Sequence, residues 1–406
     1  MSKHKKNKHR VEQSQPDGLA HQSAVAQSVA QNLHNIWLIE PRDTLILRDG
    51  RPASGGIAMG CLPFPWPSSV AGLARTQCGS NANGFFTLDI AEAKAIDVKG
   101  PWLCELDGQG AVIQHFFPAP LDCVWMYNQD CQKSYSLYGL SPNLDHNFVG
   151  NMPDGLKPVF PQRKEGLPEE KSLKAPPAFW SIQEYANWLT NSCRAEEHFS
   201  TLPGIPALDK EIRCHVSIDR ETGAAEEGQL FSTESLRFSK KSKDYRQFCR
   251  FALALACDDK RMHRGNIVLG GKGRISSLRK APPLELNFLE DILFSQNINS
   301  QKYVFRVILL TPALFANGYL PQDKKIDGAT ITAVCCGRGL FISGWDMENN
   351  RPKKARRMVP AGSVYWVEFT SRDEANMWAR NHWMKCISDN EQDKKDGFGL
   401  CILGRE

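Results

Sequence analysis

Ile36-Trp37-Leu38-Ile39-Glu40-Pro41-Arg42-Asp43-Thr44-Leu45-Ile46-Leu47-Arg48-Asp49-Gly50-Arg51-Pro52 is the stretch around which the 406-residue chain is organised. The apolar run Ile36–Ile39 predicts a strand. Pro41 has no N–H to give to a ladder, which predicts a sheet edge or a bulge there. Thr44–Leu47 predicts the strand's resumption, and Asp49-Gly50 a tight turn that ends it. Arg42, Arg48 and Arg51 stand around that turn. Guanidiniums held at a strand end can grip phosphates through paired hydrogen bonds. The same arginines can instead pair with Asp43 and Asp49 on the surface of a hairpin, where ion pairs add little.

Outward from this strand, the prolines of Pro63-Phe64-Pro65-Trp66-Pro67 forbid a helix before Pro67, and Ser68 or Ser69 then supplies an N-cap. Val70, Leu73 and Ala74 form the inward face of that helix. A helix start offers free N–H groups to a phosphate, although capped helix starts are common in any protein. Strands are predicted at Pro101–Leu106 and Ala111–Phe117, whereas residues 141–179, with seven prolines, predict little regular structure. Ser181-Ile182-Gln183-Glu184 is a capping box that opens a short amphipathic helix. Arg213–Ile218 and Gly228–Phe238 read as a long hairpin whose Phe231 either stacks on a base or packs. Phe251–Cys257 reads as the next strand.

The second half predicts strands at Lys302–Leu310, Ile331–Ile342 and Gly362–Phe369. Ser371-Arg372-Asp373-Glu374 is a further capping box, and its helix sets Ala375, Trp378, Ala379 and His382 on one side. A glycine-flanked strand, Gly397–Gly404, closes the chain. Strand-helix-strand-strand-helix-strand is the order of a ferredoxin-like, RRM-type fold. The second half follows it with its first helix hard to place, and the first half follows it only with long insertions. The expected class is α+β, tandem ferredoxin-like folds with long insertions. The expected division is a disordered basic arm over 1–32, one domain over 33–240 and another over 241–406.

Hydrophobic content of 41% and charged content of 23% are globular values, and the length allows two domains. The net charge of +5 equals the charge of residues 1–10 alone, so the remainder is neutral with its charge segregated. Arg237 to Lys280 holds 13 Lys/Arg against three Asp, and Arg338 to Arg357 holds six against Asp346 and Glu348. Such clustering is the footprint of nucleic-acid binding, and equally of a solvated face or a contact for an acidic protein. In the first block, Gly265-Asn266-Ile267-Val268-Leu269-Gly270-Gly271-Lys272-Gly273-Arg274 brings glycines and cations together. It is no P-loop, because Gly273 follows Lys272. Glycines let a backbone crowd a phosphate or a base, with Lys272 and Arg274 supplying charge, though a glycine-rich turn is more often only a turn.

Thirteen cysteines without C-x-x-C spacing predict free thiols in a reducing cytoplasm, with Cys104 and Cys401 as small core residues. The basic start from Met1 to Arg10 is not a secretory signal, and no apolar run reaches membrane-span length.

The R-D-x-L-x-x-R-D-G-R-P pattern of Arg42–Pro52 resembles the opening strand of a repeat-associated (RAMP) subunit of type III-B CRISPR effectors, with Ala53 where an aromatic often follows. The serine-capped helix behind it, His215-Val216-Ser217-Ile218-Asp219 through Phe231, Gly344-Trp345-Asp346 with Arg351 to Val364, and the terminal glycine-rich strand are similar to the same family. The resemblance implies a subunit that grips the repeat-derived 5′ handle of a CRISPR RNA. It also implies partners: the large signalling subunit and the backbone RAMP subunits of an effector complex acting in antiviral defence. No metal, cofactor or membrane is expected. The residues expected to meet RNA are Arg42, Arg48 and Arg51 in the opening stretch, and Ser68, Ser69 and Arg75 in the helix. Gly270, Gly271, Lys272 and Arg274 join them from the glycine-rich segment. Arg338, Trp345, Lys353, Lys354, Arg356 and Arg357 join them from the late basic block.

RAMP relatives that cut guide RNA often use histidine, and metal-free cutting needs paired groups titrating near neutrality. The ten histidines are spread singly, without metal-ligand spacing. The expectation is a non-catalytic RNA-binding subunit. The alternatives are a metal-independent endoribonuclease with His215 or His263 as base, or a scaffold whose basic patches meet an acidic protein.

Overall fold

The computed structural model describes residues 33–48, 60–81, 83–128, 134–142, 152–161, 171–190, 197–199, 202–241, 248–294, 303–346 and 348–406. The predicted basic arm, the Asp49-Gly50 turn and Arg51 lie outside the described residues.

Two sheets dominate. In the first, β1 (Ile36–Pro41), β2 (Lys99–Leu106), β3 (Phe248–Ala256) and β4 (Ile275–Lys280) stand in the order β4-β1-β3-β2, every neighbour antiparallel. Gly265–Val268 extends it beyond β4, and Val112–Pro118 with Phe179–Ser181 beyond β2. The second sheet holds β5 (Tyr303–Leu309), β6 (Ala329–Cys335), β7 (Val364–Phe369) and β8 (Cys401–Arg405) in the order β8-β5-β7-β6. Its neighbours are antiparallel as well. In both sheets the four strands thus stand in the order fourth, first, third, second along the chain. The expected boundary at 240/241 falls inside the first sheet, because β3 and β4 flank β1 and complete its hydrogen bonding.

β1 shows why its sequence is an unbroken apolar run. Ile36 and Leu38 enter the core shared with the second sheet, while Trp37 and Ile39 enter the core beneath the first helix. A strand buried on both faces needs apolar residues at every position. This also corrects the reading of Pro41: β1 is central, not an edge. Proline is accommodated because it is the last residue of β1, paired with Ser276 on one side only.

α1 (Pro67–Gly79) lays Val70, Ala71, Leu73 and Ala74 on the first sheet. Its N-cap is Trp66, with Pro67 in the first turn; Ser68 and Ser69 are helical and do not cap it. α2 (Ile182–Thr190) starts as predicted, Ser181 Oγ accepting from the Glu184 N–H at 3.1 Å. α3 (Arg372–His382) begins at Ser371 without a side-chain cap bond. The first helix of the second half is not formed. Residues 310–324 run as isolated bridges and a single 3₁₀ turn, Gln322–Lys324, before the short strand Lys325–Ile326 pairs with β6.

Three further differences are local. Ile331–Ile342 is two strands in two sheets, β6 and Leu340–Ile342. Thr44–Arg48 makes single bridges, Leu45 to Leu236 and Arg48 to Cys61, instead of a continuous strand. The proline-rich region contributes short strands at Val159–Pro161, Lys171–Ser172 and Phe179–Ser181. The described cysteines are free, and Cys104 and Cys401 are fully buried as expected.

A buried ion pair joins the halves. Asp122, just past the first sheet, accepts from Arg306 of β5 at 2.5 Å and from Trp188 Nε1 of α2 at 2.9 Å. Arg306 also donates to the carbonyls of Trp188 and Arg405 at 2.7 and 2.6 Å. Every strong hydrogen-bonding group there has a partner, which is what lets the pair sit in the core.

Candidate nucleic-acid interface

The opening stretch and the glycine-rich segment, far apart in sequence, meet at the end of β1. The Gly271 N–H donates to the Ile46 carbonyl at 2.7 Å. Gly270 has φ +84°, and a Cβ there would lie 2.7 Å from the same oxygen, so only glycine allows this approach. Arg42 donates to the Asn266 side chain at 2.9 Å across 224 residues. Lys272, exposed and with φ +58°, makes no ion pair or side-chain hydrogen bond among the described residues.

Asp43 organises the centre of this cluster. Arg274 pairs with it directly, and Arg213 of the long hairpin approaches it at 3.4 Å. The carboxylate partners therefore come from distant segments, not from Arg42 or Arg48 as in a simple hairpin. Glu40 similarly holds Arg250 and Arg279. On the hairpin, the Arg237 guanidinium, then Arg213, hold the Glu211 carboxyl below its usual range. Lys210 does the same for Glu234, which also accepts from the Cys61 N–H at 3.1 Å. Charge here is balanced in part: Arg42 faces a neutral amide, and Lys272 faces solvent.

The exposed Arg48 lies opposite Cys61, and the Leu62 N–H donates to the Leu47 carbonyl at 2.8 Å. Strand end and helix start are thereby brought near each other, with Trp66 four residues beyond Leu62. Ser68 and Ser69 occupy the first turn of α1, which carries no acidic residue. Arg75, in contrast, turns inward. It pairs with Asp396 at 2.6 Å and donates to the carbonyls of Ile96 and Lys395 at 3.1 and 3.3 Å. Its guanidinium is spent on the fold.

The late basic block forms a separate ribbon. Leu340–Ile342 pairs with Arg356–Met358, and Trp345–Asp346 with Arg351–Pro352. Arg356 is held by both oxygens of Asp393, at 2.7 and 2.8 Å. Arg338, Trp345, Lys353, Lys354 and Arg357 are exposed. Sequence reasoning missed Arg213, Asn266 and Phe341. Only Phe341 carried a local signal, since it alternates with Leu340 and Ile342.

The histidines have separate surroundings. His115 accepts from Trp102 Nε1 at 2.9 Å and faces Cys104 Sγ at 3.2 Å; burial lowers it to about 4 and pushes the thiol up. His215 contacts the Thr233 hydroxyl at 2.9 Å and stacks on Phe231 with centroids 5.1 Å apart. His263 lies 3.0 Å from the Arg261 carbonyl, and His382 stacks on Trp378 with its Nε2 2.9 Å from the Asp327 carboxylate. Among the described residues no group of three or more His, Cys, Asp or Glu is placed to hold a metal ion. No described helix is long and apolar enough to cross a membrane.

Comparison with known proteins adds the following. No curated protein matches the chain. A chain in the cryo-EM structure of the Type III-B Cmr-beta complex bound to cognate target RNA and AMPPnP is similar at 16% identity, over 91% of this chain and 99% of that one, with a TM-score of 0.46. A chain of the Csm3–Csm4 subcomplex of the type III-A CRISPR-Cas interference complex is similar at 12% identity, over 82% and 92%, with a TM-score of 0.33. The family described as CRISPR-associated protein (Cas_Cmr3) matches residues 37–406, nearly the whole chain beyond the basic arm. The chain belongs to the Cas_Cmr3 family of CRISPR-associated proteins, as the opening resemblance to a type III-B RAMP subunit implied.

Proposed function

We propose that this chain is a non-catalytic subunit of a type III-B CRISPR ribonucleoprotein that grips the repeat-derived 5′ handle of the CRISPR RNA. In this reading it bridges the large signalling subunit to the backbone RAMP subunits in the cytoplasm. Its two halves are two degenerate ferredoxin-like units, divided after Lys280. The observation that carries the reading is the convergence of Arg42, the Gly270-Gly271 turn and Lys272 at the end of β1. A glycine-permitted close approach, a cation without a carboxylate and an exposed Lys272 suit a phosphate backbone. Arg274 and Arg213, kept in place by Asp43, border the same spot. His115, His215 and His263 neighbour rings, a hydroxyl, a carbonyl and a buried thiol, and His382 pairs with Asp327 at 2.9 Å while stacked on Trp378; surroundings this separate support a binding role over acid–base cutting.

The test is Lys272→Ala in the full chain loaded with CRISPR RNA. Because Lys272 is exposed, the melting temperature should stay as it is. The salt dependence of binding should flatten by roughly 0.7 in log–log slope for one lost phosphate contact on a single strand. The RNA's 5′ end should also become open to exonuclease. An unchanged slope with a protected 5′ end moves the handle to another surface.

A further inference from the structure

The ribbon of the late basic block is built as a site in its own right. One face is fixed: Ile342 and Met358 are buried and pack with Leu314, Phe398 and the Trp66 side chain, and Asp393 clamps Arg356. Strand alternation then drives Phe341, opposite Arg357, to the outer face, where it is 65% exposed. Trp345 follows further along the same strand run, opposite Pro352 and 52% exposed. Phe341 is thus held in the open on a packed support, and Trp345 stands exposed beyond it.

Cations surround these rings. Arg351, Lys353, Lys354 and Arg357 are exposed, and none makes an ion pair or side-chain hydrogen bond to an acid among the described residues. Of the ribbon's own acids, Glu348 pairs with Lys94 at 2.7 Å, while Asp346 accepts from the Asn349 side chain at 2.9 Å and feels the charge of Lys353 without a direct ion pair. Rings with open faces between cations lacking carboxylates suit stacked bases joined by phosphates. An acidic protein would complement the cations but leave the two ring faces without a matching surface.

We infer that the ribbon is a second platform for single-stranded RNA, stacking bases on Phe341 and Trp345 and drawing the phosphates with Arg351, Lys353, Lys354 and Arg357. This deepens the proposed function and rests on it for the class of polymer alone. Trp66, at the start of α1, packs in the cores beneath both surfaces, so the platform and the β1 grip share one rigid base.

The test uses the full chain and an oligouridylate of about ten nucleotides with no handle sequence, carrying 5-iodouridine. Phe341→Ala with Trp345→Ala should weaken binding roughly tenfold or more at an unchanged melting temperature. Phe341→Tyr with Trp345→Phe, which keep the ring faces, should restore it. Irradiation should crosslink the probe to the peptide holding Trp345, in the parent and in Lys272→Ala alike. Parental affinity in the alanine variant with no crosslink on the ribbon overturns the inference. So does retained RNA affinity with loss of an acidic protein that copurifies with the parent. Because the probe has no handle, failure of the 5′-end reading leaves this outcome unaffected.

Discussion

The two sheets keep one strand order but opposite helices. The first half has a helix, α1, after its first strand, and joins its third and fourth strands through the strand Gly265–Val268 and the Gly270–Arg274 turn. The second half has its helix, α3, between its third and fourth strands, and joins its first two strands through the run 310–328, which holds a 3₁₀ turn and the short strand Lys325–Ile326. That run still covers the sheet with Ala313, Phe315 and Leu320, and it satisfies its backbone by bridges such as Ala313 with Val359. The difference teaches that strand order rests on long-range pairing, whereas a helix is a cover that other structure can replace if polar groups are met. It also locates the candidate grip, which lies where the first half has a glycine turn in place of a helix.

The comparison can be broken most severely at the joint between the halves. Asp122→Asn removes the charge that Arg306 needs in the core and should cost about 3–5 kcal/mol, read from the denaturant midpoint. If unfolding then splits into two transitions, the halves are separately cooperative; a single, earlier transition means they fold as one.

A smaller effect sharpens the role of the retained helix. Arg75 ties α1 to Asp396 and Lys395 of the second half. Arg75→Ala should cost about 2–3 kcal/mol while leaving RNA affinity unchanged, the reverse of the pattern for Lys272→Ala. Weakened RNA binding at unaltered stability would return Arg75 to the set of RNA contacts.

A third effect is a pH dependence that arises in the first sheet. Burial holds His115 at about 4, below its ordinary 6.5, so on acidification the unfolded chain takes up this proton first. The stabilisation is present above pH 6.5 and declines as pH falls toward 4. His115→Gln should flatten the fall of the denaturant midpoint across that window, and an unaltered fall assigns it to other groups.

Much of this was legible in the sequence for a local reason. The run Ile36–Ile39, the capping box at Ser181 and the inward set Ala375, Trp378 and Ala379 depend on period and on near neighbours, which short segments carry. The opening pattern and the late glycine-rich strand pointed to the right family, because they are contiguous. The Ser68/Ser69 cap was misplaced because Pro67 already suits the first helical turn, leaving Trp66 as the extended residue before it.

The fates of the arginines were not legible. Arg42, Arg75, Arg274 and Arg356 look alike in sequence, yet one meets an amide and three meet carboxylates. Those partners arrive from segments that only the fold brings near. The sequence by itself determined the long apolar strand runs, three helices with their inward faces, and the excess of cations in two blocks. The tertiary structure alone decided that β3 lies beside β1, that a glycine turn closes on Ile46, and which cations keep their charge for a ligand. Local backbone preference and side-chain period act over a few residues, whereas pairing, burial and charge neutralisation are settled between residues hundreds apart.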